Sequence, residues 1–599
     1  MNIAHLIAAC AFALLVVGGQ ADAGSMRLAA NGASEYTIVL SKDASPSEKH
    51  GAEELQKFLA EISGAKLPIA TEGRELPKRM IVVGDGDALR SLGVVIDFRD
   101  LGDDGLAIKT VGPHLVIAGG RQRGTMYGVY TFLEEVLGCR WYTAKVSHIP
   151  KQPTISIGPL DIVQKPDFEY RYDYYFDGFD QDWAARRKSN GGTDEVHGGA
   201  LSYGRFVHTF YDLVPADKYY ETHPEYYALI DGKRVKAAPS QGQLCLSNPD
   251  VLKIATETVL GWCKSNPNAR IWSVSQNDYP RGCECEKCKA IDTEEGSPSG
   301  AVLRFVNAIA DEVAKQYPNV LIDTLAYLYT EQPPKLARLR PNVRIRLCPI
   351  ACCETHPYDT CDFHSNKSFM AAFDGWTRMT DSLYIWHYST AFFHLLLPFP
   401  DLEQLPASLR MYKERGVKGI FMEGNNFYGG HMDELKAYLL AKCMWNTKVD
   451  ARAVREDFLN GYFGKAGKPT GEWLDLLHRE VRARNIHMNP WPKPPFKLMS
   501  PAVIAASDRL FDEAEKLADN PDILERVKHA RLSLRYAKLC RDVRSASIVG
   551  SPEKKAAVYK TWIEFAQDCK DDGIQYLHLE YPIDESTKKI ANALGQNAE

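Results

Sequence analysis

Acids, amides and aromatic residues recur together at several separated places in this chain, and that combination suits carbohydrate chemistry. Ser275-Gln276-Asn277-Asp278-Tyr279 follows one apolar run, and Tyr327 and Tyr329 follow another that contains Asp323. Trp386-His387-Tyr388 closes a third, Glu423-Gly424-Asn425-Asn426 a fourth, and Asp173, Tyr174, Tyr175 and Asp177 lie near an earlier strand candidate, 169–176. Aromatic faces bury the apolar side of a pyranose ring, while carboxylates and amides satisfy its hydroxyls. Asp278 and Glu423 are the candidate acids, with Asn277 beside them. Tyr327, Tyr329, Trp386, His387, Tyr388 and Asn425 are the candidate sugar contacts. For His387 a satisfied core histidine is an equal alternative.

Cysteines form a second concentration. Cys283, Cys285 and Cys288 fall within six residues, and Cys348, Cys352, Cys353 and Cys361 follow. Three cysteines so close can hold a structural zinc with a fourth ligand from elsewhere, or they can form disulfides in an exported protein. The set lacks the ligands of an open catalytic site, so no catalytic metal or cofactor is expected. Cys139, Cys245, Cys263, Cys443 and Cys540 sit in apolar runs and read as buried core.

These residues need a frame, and the chain divides into three parts. From 34 to 160, strand and helix patterns alternate around a helix at 47–62, giving a small α/β accessory domain. Its Gly119-Gly120-Arg121-Gln122-Arg123-Gly124 cluster matches neither dinucleotide nor Walker phosphate motifs and reads as a tight turn packing a helix on a sheet. From 165 to 464, about eight strand candidates alternate with helices, as a (β/α)8 TIM-like barrel requires. They are 169–176, a weak one at 206–211, 243–246, 271–275, 320–326, 343–348, 383–388 and 419–422. In such a barrel the chemistry lies at the C-terminal strand ends, where the acids and aromatics above fall. From 469 to 599 the pattern is helical, interrupted by the Pro-rich stretch 489–495, and a helical domain packed on the barrel is expected.

Composition bounds the rest. The 599 residues carry a net charge of −5 with 45% apolar and 25% charged residues, which excludes global disorder. No Lys/Arg block stands out, which argues against a nucleic-acid partner. Leu6 to Gly18 is an apolar run followed by Ala21-Asp22-Ala23, the pattern of a cleaved signal peptide at 1–23 and hence of a secreted or periplasmic protein. Cleavage there would remove Cys10 and leave an odd number of the 14 cysteines. No later segment is apolar enough to span a membrane.

Specific stretches also carry a resemblance. Gly119-Gly120-Arg121 through Gly128-Val129-Tyr130-Thr131-Phe132-Leu133-Glu134-Glu135, then Gly138-Cys139-Arg140-Trp141-Tyr142, resembles the accessory domain preceding the barrel in α-glucuronidases and β-N-acetylhexosaminidases. From His223-Pro224-Glu225-Tyr226 the chain resembles the domain of unknown function 4838 family. The matching stretches include 243–249, Ser275-Gln276-Asn277-Asp278, 295–300, 323–327 and 416–419. Part of that family is glycoside hydrolase family 163, retaining endo-β-N-acetylglucosaminidases acting on N-glycans. The resemblance therefore implies a glycan or glycoprotein substrate and a substrate-assisted mechanism, in which the sugar's own 2-acetamido oxygen attacks the anomeric carbon. Two assignments are open. Asp278 can be the general acid with Asn277 holding the acetamide and Glu423 offsetting charge, or Glu423 can be the acid and Asp278 the stabiliser. A glucuronidase-like enzyme, using Arg171 or Arg346 for a uronate, and a catalytically silent glycan-binding protein are the alternatives.

Overall fold

The computed structural model describes residues 25–192, 196–494 and 496–596. The expected signal peptide lies outside them, and among the described residues no helix is long and apolar enough to cross a membrane.

The first unit is a six-stranded sheet built from β1 (Thr37–Leu40), β2 (Ile69–Thr71), β3 (Met80–Val83), β4 (Leu106–Val111), β5 (His114–Gly119) and β6 (Asp161–Gln164), in the order β6-β4-β5-β3-β1-β2. Helix α1 (Pro46–Ser63) starts at a capping box: Ser45 accepts from the Glu48 amide while the Glu48 side chain accepts from the Ser45 amide. Gly51 of α1 packs on Met126 of α2 (Gly124–Thr131), which follows the glycine cluster. A Cβ on Gly120 would collide with the Gly102 carbonyl oxygen, so these glycines exist to let backbone approach backbone. The packing-turn expectation therefore describes them.

The second unit is a curled parallel sheet of β7 (Tyr170–Asp173), β8 (Tyr203–Arg205), β9 (Ile271–Ser273), β10 (Leu321–Ala326), β11 (Val343–Leu347), β12 (Leu383–Tyr388) and β13 (Gly419–Glu423), ordered β7-β13-β12-β11-β10-β9-β8. Between the strands run α3 (Pro249–Ser265), α4 (Glu286–Glu295), α5 (Ser299–Gln316), α6 (His364–Met379) and α7 (Gln404–Glu414), and α8 (Asp433–Trp445) follows β13. The expected closed eight-strand barrel is corrected in two ways. The stretch 243–246 makes only an isolated antiparallel bridge, Tyr227 with Leu244, because its backbone is bonded to 226–228: the Gln243 carbonyl accepts from the Ala228 amide and the Cys245 amide donates to the Tyr226 carbonyl. Edges β7 and β8 are not paired as strands. Asn190 bonds to Arg171 on one side and accepts from the Leu201 amide on the other, and the Tyr170 and Tyr203 rings meet at 5.5 Å across the gap.

The third unit is helical: α9 (Ala451–Phe463), α10 (Gly467–Arg484), α11 (Pro501–Leu517), α12 (Pro521–Val549), α13 (Pro552–Asp571) and α14 (Ile583–Leu594). A short hairpin, β14 (Tyr576–His578) with β15 (Tyr581–Pro582), interrupts the helices, and its Leu577 carbonyl and Leu579 amide bond to Leu395 and Phe392 beyond β12. The helical unit thereby reaches the end of the sheet where the strands terminate.

Candidate active site

At the C-terminal ends of the parallel strands lies a cavity of about 260 Å³ lined by Asp278, Tyr327, Trp386, Tyr388 and Glu423. Strand alternation places them. On β12, Trp386 turns into the sheet's concave side with Tyr384, and Tyr388 lies in register with Glu423, the last residue of β13. The Trp386 indole Nε1–H donates to Glu423 Oε2 at 2.7 Å. After β10 the chain turns at once: the Tyr327 amide donates to Thr330 Oγ1, and the Tyr327 hydroxyl donates to Asp278 Oδ1 at 3.0 Å. Asp278 is held in its loop by its own amide, which donates to the Pro239 carbonyl.

Desolvation dominates the electrostatics. Burial pushes the Glu423 carboxyl up to about 7; the Trp386 N–H opposes this and the Asp278 charge adds to it. Burial also pushes the Tyr388 hydroxyl well above its usual value, so it stays a donor. His208, on the cavity wall, has its pKa lowered by burial, against the raising influence of the Gln276 carbonyl and of Asp278. Its Nδ1 lies 2.8 Å from the Gln276 carbonyl, so Nδ1 carries the proton and Nε2 is the acceptor of the neutral ring. The residue takes a left-handed backbone, φ 53°, directly after the strand β8 region.

Beneath the cavity a fully buried ion pair fills the sheet's interior. Arg346 donates to both carboxylate oxygens of Asp323, at 2.6 and 3.2 Å, and to the Phe206 carbonyl. Its guanidinium lies under Trp386 and against Phe206, at 5.1 and 4.4 Å from the ring centroids. Arg346 is thus committed below the floor, and Arg171 is committed to Asp104 at the interface with the first unit. Neither lines the cavity, so the uronate role weighed for them has no geometric support.

Four of the nine residues expected at the site lie elsewhere. Asn277 is fully buried, its amide accepting from the Tyr211 N–H and donating to the Gly242 carbonyl, so it braces the loop that presents Asp278. Tyr329 packs on Gly282 and the cysteine cluster, because the one-turn helix 328–330 rotates it away from Tyr327. His387 faces the helices and contacts Tyr412, Glu354 and Gln404; it is the satisfied core histidine of the alternative reading. Asn425 is buried and bonded to Asp433. In their place stand residues the sequence did not single out: His208, Phe392, Trp491 and Glu580. Trp491 belongs to the Pro-rich stretch, whose composition is the only signal that could have drawn attention to it.

A larger cavity, about 580 Å³, sits at the opposite, N-terminal strand ends among Asp103, Glu169, Arg270, Arg344 and Lys418. Barrel active sites lie at the other, C-terminal end of the strands.

The cysteine expectation gains a member. The Sγ atoms of Cys245, Cys283, Cys285 and Cys288 all lie within 4.8 Å of one another, with Cys245 at 3.7 Å from Cys285 and 4.0 Å from Cys288. Cys245 was expected as core; it is the fourth corner, brought up by the loop before α3. All described cysteines are unlinked by disulfides. The tetrad's spacing matches the edges of a tetrahedral thiolate site, about 3.8 Å for Zn–S bonds near 2.3 Å.

Comparison with solved structures finds this fold again in glycoside hydrolases. One is a family GH115 4-O-methyl-alpha-glucuronidase, BtGH115A, with specificity for decorated arabinogalactans: TM-score 0.60, 11% identity, covering 96% of this chain and 80% of that one. Another is CpGH89 from Clostridium perfringens, in complex with GlcNAc-alpha-1,4-galactose: TM-score 0.53, 12% identity, covering 92% of this chain and 70% of that one. At such identity the likeness is one of fold. No curated protein matches the chain in sequence. Residues 27–132 match the glycosyl hydrolase family 67 N-terminus. Residues 141–475, more than half of the chain and the whole of the curled sheet, match the domain of unknown function DUF4838, and the protein belongs to that family.

Proposed function

We propose that the protein is a glycoside hydrolase acting on N-acetylglucosamine-containing glycans by a retaining, substrate-assisted mechanism. The observation that carries this is a pair of carboxylates, Asp278 and Glu423, in one aromatic-walled cavity at the strand ends, with Glu423 pushed up to about 7. A carboxyl that keeps its proton near neutrality is fitted to donate it, so Glu423 is the general acid of this reading. It protonates the glycosidic oxygen while the acetamido oxygen attacks the anomeric carbon. Asp278, oriented by the Tyr327 hydroxyl, takes the acetamide N–H and offsets the positive charge of the cyclised intermediate. Glu423, now a carboxylate, then activates the water that opens it. Asn277 has no part in this scheme, since its amide is engaged. Trp386, Tyr388, Phe392 and Trp491 supply faces for the pyranose.

The fold shared with two glycosidases supports the hydrolase reading, and one of the two was solved with GlcNAc-alpha-1,4-galactose. The cysteine tetrad beside Tyr329 is proposed as a structural zinc site bracing the loop that carries Asp278, and the leader at 1–23 points to export. The test is turnover of chromogenic N-acetylglucosaminides and N-glycoproteins with product masses. Glu423→Gln and Asp278→Asn should each lower kcat by about 10²–10⁴. A product leaving one GlcNAc on the acceptor marks endo cleavage. Full turnover by both variants removes the site assignment, and binding without cleavage by the wild type makes the protein a glycan-binding module.

A further inference from the structure

A second set of metal-ligating side chains lies between the middle and the helical units, away from the Cys245 tetrad. We propose that Cys353, His356, Cys361 and His487 form a structural zinc site. Their ligand atoms all lie within 4.8 Å of one another. The sulfur–nitrogen separations are 3.4 Å for Cys353 with His356 Nδ1, 3.4 Å for Cys353 with His487 Nδ1 and 3.6 Å for Cys361 with His487 Nδ1. A tetrahedral zinc with Zn–S near 2.3 Å and Zn–N near 2.0–2.1 Å has sulfur–nitrogen edges of about 3.5 Å.

An independent feature points the same way. His487 turns Nδ1 toward the two sulfurs while its Nε2 lies 3.0 Å from the Asp362 carboxylate. A carboxylate on the far nitrogen is the arrangement that fixes the tautomer and orientation of a zinc-bound histidine. The Phe363 ring stacks on the same imidazole at 5.1 Å and holds its plane. Two thiolates and two imidazoles complete the coordination, leaving no open position, so the site is structural. On binding, two thiols lose their protons to solvent and Zn²⁺ gains two thiolates and two neutral imidazoles.

The location gives the site its task. Three ligands lie on the loop after β11, and the fourth follows α10. Around them the Glu354 amide donates to the Met488 carbonyl and the Thr355 hydroxyl to the Ile486 carbonyl. Four residues past His487 comes Trp491, a wall of the cavity, where the Phe392 amide meets the Pro490 carbonyl. The metal would tie that wall to the sheet.

The test measures zinc in the purified full-length chain by plasma mass spectrometry. Wild type should hold two zinc ions per chain, Cys361→Ser one, Cys285→Ser one, and the double variant none. X-ray absorption on the wild type needs no variant to fold: two sites give about three sulfurs per nitrogen around zinc, whereas the Cys245 tetrad alone gives sulfur only. One zinc per chain in a sulfur-only shell overturns the proposal, as does a Cys353–Cys361 disulfide seen as a peptide two hydrogens lighter. Because metal content is read without turnover, failure of the glycosidase reading leaves the result intact.

Discussion

The most discriminating perturbation of the site is Trp386→Phe. The indole N–H donates to Glu423 at 2.7 Å, a bond to a group that exists in two charge states. Hydrogen bonds to an ionised partner are worth about 1.5–3 kcal/mol and neutral ones about 0.5–1.5 kcal/mol. Their difference, about 1–1.5 kcal/mol, is close to one pKa unit. Because the N–H favours the anion, removing it must raise the Glu423 pKa, from about 7 to roughly 8. In the proposed role of general acid Glu423 would work in its protonated form, so activity would be lost as pH rises through that value. The basic limb of kcat/KM should therefore sit near pH 7 in the wild type and move up by about one unit in the variant. Phenylalanine keeps an aromatic face over Arg346, so the limb should move more than the plateau falls. Initial rates on a chromogenic N-acetylglucosaminide between pH 5 and 9 measure this. Asp278→Asn should move the Glu423 carboxyl the opposite way, since it removes a neighbouring negative charge; infrared titration of the carboxyl reads that without turnover. A basic limb that stays in place or moves down in Trp386→Phe would mean that Glu423 is not the proton donor.

Two further predictions concern the frame. Arg346→Met leaves Asp323 uncompensated inside the sheet and should destabilise the protein by about 3–5 kcal/mol, seen in the urea midpoint; adding Asp323→Leu should recover most of it. If the single variant costs nothing, the pair is not what fills the interior. His387→Phe removes partners from the buried Tyr412 hydroxyl and Glu354 carboxylate and should cost about 1–3 kcal/mol of stability with KM unchanged; a raised KM at unchanged stability would put His387 in contact with the sugar.

What the sequence could and could not place follows from how phase is lost at strand ends. The strands themselves are apolar runs between turn residues, and six of the seven fall within or against the expected stretches. The exception, β8, contains Gly204, whose position is crowded by the Trp272 ring; a strand built around a glycine to admit an indole has no hydrophobic signature. At the site, neighbours in sequence part company. Trp386, His387 and Tyr388 form one tripeptide, yet period-two alternation sends the outer two into the cavity and His387 into the helix layer. Asn277 and Asp278 divide in the same way, one buried in the loop and one on the cavity. Tyr327 and Tyr329 should share a face if the strand continued, but β10 ends at Ala326 and a single helical turn intervenes. Phase can be read within a strand; where it stops cannot, because that is decided by tertiary bonds such as Thr330 to the Tyr327 amide. Contacts across long sequence separation are the other loss. Cys245 joins Cys283, and His487 joins Cys361 across 126 residues. Trp491 and Glu580 arrive from the helical unit. Such closures carry no local periodicity, and so the walls and clamps of the candidate site are less legible than the two carboxylates that line its cavity.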